Sequence, residues 1–198
     1  MAPSPGPSLP IAIWVSRLFH PFVVPLPVLV VALVLSGCSW RAALGWTLLC
    51  VGVVIVPSVL HLVLERRRRG DGDWFVTVRE QRRSLYALGG LCLLVLLGIL
   101  LLAGAPRLLL ASLAAGVVAN AIGALLNRVT KVSVHAGAIA GSAVLLAYVL
   151  PAAGALLGLA ALLVAWARVR LEHHTPSQVL LGAGITASCV ALGLHLLA

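Results

Sequence analysis

Three short stretches of this chain carry residue types able to do chemistry on a charged group, and each lies beside an apolar run. The most readable is Arg168-Val-Arg-Leu-Glu-His173-His174-Thr175-Pro176-Ser-Gln178. Thr175 is a good helix N-cap, Pro176 then takes the first helical position, and Gln178 follows Thr175 at capping-box spacing. A helix is predicted to start here, with His174 just before its N-terminus, where unpaired N–H groups and the dipole favour an anion. The second stretch, Lys131-Val-Ser133-Val-His135-Ala-Gly137, places His135 near the start of another predicted helix. The third, Arg79-Glu-Gln-Arg82-Arg83, brings guanidinium groups to the head of an apolar run, although alone it reads equally well as a solvated basic flank. Neutral imidazole is a nucleophile at physiological pH, and its conjugate acid donates a proton. Fixed cations stabilise charge on a transferring group. Two histidines, a lysine and several arginines gathered at helix starts therefore describe a phosphate pocket.

The elements that must position these residues are membrane helices. The chain has 198 residues, 62% of them hydrophobic and only 10% charged, against the roughly 25% charge of a soluble domain. No water-soluble fold of this size could hide so much apolar surface, whereas lipid can cover it. Residues 1–16 carry four prolines among Ser and Gly and read as an irregular lead-in to one transmembrane domain over 17–198. Seven apolar runs follow, at 18–36, 43–64, 85–103, 107–126, 136–150, 152–167 and 177–197. The expected fold is all-α, a polytopic helix bundle with six to seven transmembrane helices. Gly137 with Gly141, and Gly154 with Gly158, have the spacing of close helix packing.

Connections after the first, third and fifth runs are short and nearly uncharged, while those at 65–84, 127–135 and 168–176 are polar. Parity puts the three polar connections on one face. Twelve of the fourteen basic residues fall there with the N-terminus, leaving Arg41 and Arg107 opposite. Setting aside Arg79, Arg82, Lys131 and Arg168 as site residues still leaves eight against two, so the polar face is expected to be cytoplasmic. The run Arg66 to Arg69 is a topology anchor, because consecutive arginines cannot all aim at one ligand. Nucleic-acid binding is not expected, since no soluble module carries the basic groups. Cys38, Cys50, Cys92 and Cys189 lie singly in apolar stretches and suggest neither zinc nor disulfides. Arg17, an apolar run and Leu35-Ser36-Gly37-Cys38 are similar to a lipoprotein signal, but a spanning helix is the reading adopted.

The three stretches resemble, in order, the motifs of the type 2 phosphatidic acid phosphatase superfamily, membrane enzymes that hydrolyse lipid phosphates and diphosphates. That family's third motif is Arg, five residues, His, three residues, Asp; Arg168, His174 and Gln178 keep the spacing, with Gln in place of Asp. Its second motif, Pro-Ser-Gly-His, survives here as Ser133 and His135 in Val-Ser-Val-His. Arg79 and Arg82 look like the basic residues of the first, with Arg83 replacing a proline. The resemblance covers roughly residues 75–190. It implies a divergent bacterial-type member in the plasma membrane, with His174 as nucleophile forming a phosphohistidine and His135 protonating the leaving oxygen. Gln178 would orient His174, and Arg79, Arg82, Lys131, Ser133 and Arg168 would hold the phosphate. Neither metal nor other cofactor is implied. The substrate implied is an amphiphilic phosphate-bearing lipid or a prenyl phosphate or diphosphate. A prenyl-diphosphate transferase or cyclase, or a non-catalytic membrane protein binding anionic lipid, stays open beside it.

Overall fold

The computed structural model describes residues 8–69 and 82–198, and every regular element among them is helical. They are α1 (Ser8–Leu18), α2 (Pro25–Leu35), α3 (Trp40–Cys50), α4 (Val56–Arg69), α5 (Arg82–Leu102), α6 (Arg107–Leu126), α7 (Val134–Val149), α8 (Pro151–Arg170) and α9 (Pro176–Leu197). A π turn at Val51–Ile55 makes α3 and α4 one continuous rod. Pro57 is the physical cause that fits it. A proline inside a helix has no N–H to give and crowds the carbonyl four residues back, and a widened turn relieves both. Here Val56 N–H reaches back to the Val51 carbonyl, five residues away.

Among the described residues five helices are long and apolar enough to cross a membrane, namely Trp40–Arg68, Arg82–Leu102, Arg107–Leu126, Pro151–Arg170 and Pro176–Leu197. The chain is thus a multi-pass membrane protein. Its outward side chains agree, with Leu102, Leu180, Leu156 and Leu91 each at least 60% exposed, as a lipid-facing surface requires.

Against the expected six to seven spans, five helices reach spanning length among the described residues, and the first and fifth apolar runs form shorter elements. The run 18–36 is not one spanning helix. Its first residue ends α1, residues 19–24 are a turn containing Pro21, and only Pro25–Leu35 is helical, as α2 of 11 residues. The lead-in is likewise not irregular to residue 16, because α1 begins at Ser8; Pro10 is accommodated in its first turn, where N–H groups have no helical partner anyway. The fifth run forms α7, whose 16 residues span only about 24 Å. It lies in the interior against α2, α8 and α9.

Two turns at the end away from the polar connections use glycine in the left-handed region, Gly37 at φ 96° after α2 and Gly104 at φ 65° after α5. In each the following residue, Cys38 or Ala105, donates to the carbonyl five residues back, a Schellman closure that needs no side chain. A core of Leu33, Leu96, Leu100, Leu109 and Leu194 fills that half of the bundle, and Val24, Ile139 and Val164 make a smaller cluster joining α2, α7 and α8.

Helix contact is closest where α7 meets its neighbours. A Cβ on Gly137 or Gly141 would lie 2.7 Å from Thr186 of α9, and one on Gly182 would lie 2.3 Å from the Ser133 carbonyl. Gly154 meets the Ala147 backbone, again at 2.3 Å, whereas Gly158 faces open space. Of the two glycine pairs, Gly137 and Gly141 therefore pack together, and of the second only Gly154 makes a close approach.

Candidate active site

The starts of α5, α7 and α9 and the end of α8 converge, so the polar stretches far apart in sequence meet. Arg82 opens α5 and is 8% exposed. Its Nη1 donates to the Val132 carbonyl at 2.9 Å, and its Nη2 stands 3.4 Å from His174 Nε2. One guanidinium thus ties the loop before α7 to the loop before α9. His174 is 6% exposed, and its backbone N–H donates to the Arg168 carbonyl at 3.3 Å. The chain makes that return through Glu172, which adopts the left-handed φ of 57°, uncommon outside glycine. Arg168, in the last turn of α8, is buried beside it.

Gln178 settles how the imidazole is presented. The predicted capping box is formed, with Thr175 Oγ1 accepting from Gln178 N–H and Gln178 Oε1 accepting from Thr175 N–H at 3.3 Å. A backbone N–H only donates, so the amide atom facing it is oxygen. The same Oε1 lies 3.2 Å from His174 Nδ1, which must then carry the ring proton. Nε2 is left as the lone-pair nitrogen, and it faces the donor-only guanidinium of Arg82. The amide nitrogen is turned the other way, toward Thr130 Oγ1 at 3.5 Å. The sequence left two roles for Gln178, helix cap and imidazole orienter; a single oxygen does both. Gln178→Leu should therefore lower turnover and melting temperature together, the latter by the equivalent of about 1 kcal/mol, while Gln178→Asp keeps turnover. Phosphate release and thermal unfolding of both variants check this, and unchanged turnover in Gln178→Leu would remove the orienting role.

Burial, then the charges of Arg82 and Arg168, push the His174 pKa down to about 3, against a weaker upward pull from Gln178 and with a further push from Lys131. Its imidazole is thus neutral in the physiological range.

His135 occupies the first turn of α7 and is 8% exposed. Lys131 is half-buried in the loop before it. Ser133, expected on the phosphate, has another task. It is fully buried, its hydroxyl accepts from Ala136 N–H as the N-cap of α7, and its own N–H donates to the Gln178 carbonyl at 3.2 Å. Arg79 lies outside the described residues.

One site residue escaped the sequence reading. His20, in the turn between α1 and α2, places its ring edge-on to His135, with centroids 5.4 Å apart and planes at 77°. Burial and Arg168 lower its pKa. A signal was available, since an ionisable side chain inside a run taken to span the membrane is a functional hint in itself.

What the arrangement can do is bind an anion between buried guanidinium groups, present an oriented lone pair to it, and offer a second imidazole nearby for proton transfer. No family model, no curated protein and no solved structure matches this chain.

Proposed function

We propose that the chain is a membrane phosphatase acting on a lipid or prenyl phosphate or diphosphate through a phosphohistidine at His174. The observation that carries this is the aim of His174: buried, neutral, its Nδ1–H held by Gln178 and its Nε2 lone pair facing Arg82. A structural histidine has no need of a lone pair directed at a cation; a nucleophile for a phosphoryl group held by that cation does.

In the first step Nε2 bonds to phosphorus and the bond from phosphorus to the leaving oxygen breaks, its electron pair going to that oxygen. The proton that oxygen needs comes from a P–OH of the substrate and is relayed by His135, which is itself neutral in the free pocket. Arg82 and Arg168, with Lys131 at the rim, hold the non-bridging oxygens as charge develops. In the second step water attacks the phosphohistidine, His135 relays its proton to the departing phosphate, and inorganic phosphate leaves with His174 restored. The sum is one water consumed for each phosphate released.

An amphiphile suits the surroundings. An open groove of about 610 Å³ runs along α9 from Ser177 past Leu181 and Ile185, with Ile122 of α6 on its other side. Ser177 at its head follows His174 by three residues in the chain, and most of its lining is apolar, as an acyl or prenyl tail requires.

We place α7, and α2 with the turn before it, as short passes that complete seven traverses with the site connections in the cytoplasm. The eight-to-two excess of basic residues supports that orientation. With the native cysteines replaced, a cysteine at residue 67 should resist an impermeant thiol reagent in intact cells and react after lysis. Labelling in intact cells would put the site outside.

The test of function is a phosphate-release screen of purified protein across lipid and prenyl mono- and diphosphates. Release from one class, lost on substituting His174, supports the reading. Tight binding of those lipids without any release would make this a non-catalytic anionic-lipid protein.

A further inference from the structure

We propose that the pocket is built for a diphosphate and that His20 is the residue holding its second phosphate; this rests on the phosphatase reading above. The argument starts from the order of the three imidazoles. His135 meets the His20 ring edge-on at 5.4 Å between centroids, while His174, at the head of α9, meets Arg82. In the proposed pocket these two contacts set the order, with His174 and Arg82 at one end, His135 next and His20 beyond it.

In-line displacement puts the leaving oxygen opposite the attacking nitrogen, on the His135 side. Whatever that oxygen is attached to extends toward His20. If it is the carbon of a lipid alcohol, a polar imidazole there meets hydrocarbon and its N–H loses water for nothing. If it is a second phosphorus, non-bridging oxygens arrive where a donor is wanted.

His20 is prepared as that donor. Its Nδ1 accepts the backbone N–H of Phe22 at 3.2 Å, so the neutral ring carries its proton on Nε2. Protonating Nδ1 would break this contact, and burial beside Arg168 also disfavours the cation. A neutral, single-donor imidazole of fixed tautomer is suited to a departing phosphate. It holds the charge without adding a proton of its own to the one that His135 relays.

The test compares kcat/KM for a prenyl diphosphate and the prenyl monophosphate of the same chain length in wild type, His20→Phe and His20→Gln. The phenylalanine keeps a ring against His135 but has no donor, and the glutamine offers an amide N–H near the Nε2 position. Wild type should prefer the diphosphate. His20→Phe should lose about 10- to 100-fold more on the diphosphate than on the monophosphate, the worth of one hydrogen bond to a charged group. His20→Gln should recover most of it. Equal losses on both substrates, or a wild-type preference for the monophosphate, overturn the inference.

A binding arm needs neither turnover nor a folded His20→Phe. Methylenebisphosphonate should raise the melting temperature of the wild type at roughly tenfold lower concentration than inorganic phosphate. If no substrate releases phosphate but this advantage holds, the phosphatase reading falls and the diphosphate pocket stands. If the advantage is absent, the diphosphate pocket falls whatever the turnover.

Discussion

His174→Ala is expected to abolish phosphate release, by at least about 10³-fold, because in the proposed mechanism it removes the atom that bonds to phosphorus and not merely a group that holds it. Its neighbours show why no other side chain takes over. His173 is adjacent in sequence, but the capping oxygen of Gln178 and the Nη2 of Arg82 are both directed at His174. His173→Ala should accordingly keep much of its turnover. The loss in His174→Ala should come with a folded protein, since the helix cap between Thr175 and Gln178 does not pass through the imidazole. The measurements are phosphate release and thermal unfolding of the purified variants, with wild type quenched during turnover and assayed for an acid-labile, base-stable phosphoryl group. Normal release from His174→Ala would sink the mechanism, whatever substrate the screen finds.

The second large effect comes from a residue with no chemistry at all. A Cβ at Gly182 would sit 2.3 Å from the Ser133 carbonyl oxygen and 3.1 Å from its nitrogen. Both are backbone, and both belong to the turn that starts α7 and carries His135. No rotamer relieves that contact; α7 and α9 must move apart. Gly182→Ala should cost about 1–3 kcal/mol of stability as an overpacked contact. It should also lower turnover by about 10²-fold, because His135 and His174 ride on the two helices being separated, and a displacement near 1 Å costs that much in a positioned reaction. Gly184→Ala, two residues on, is the control. Nothing lies within 4 Å of its Cβ, so it should be neutral or slightly stabilising. Similar melting temperatures and turnover for the two variants would show that the close approach of α7 to α9 does not set the site geometry.

The parts of this architecture legible in the sequence are those with local physics. The Thr175–Gln178 capping box, the start of α9 and the position of His174 before it are consequences of four consecutive residues, and they appear as read. The meeting of three polar connections at one end followed from counting apolar runs, although residues 70–81 of the first lie outside the described part. Helix-to-helix arrangement was less legible. In a membrane both lipid and core are apolar, so hydropathy does not mark which run faces inward. The run that became α7 looks like its neighbours in sequence, yet Ile139 is fully buried while Leu180 of α9 is 72% exposed. Prolines were the other blind spot. Pro21 and Pro25 shortened an apparent span to a turn and the 11-residue α2, and that turn brings His20 beside His135. Ser133 shows a related ambiguity, because a serine before a helix is equally an anion ligand and an N-cap until the surrounding packing is known, and here the N-cap is formed.

The shared oxygen of Gln178 has a consequence for heat inactivation. Helix ends open before helix middles, and such local opening takes less free energy than unfolding the domain. When the first turn of α9 frays, Thr175 N–H and Gln178 Oε1 separate, and the contact that sets the His174 tautomer goes with them. Either ring nitrogen can then carry the proton, and Nε2 is no longer always the bare one. Activity should therefore fade reversibly on warming, over a range where the rest of the bundle is still intact and bulk helicity has not begun to fall.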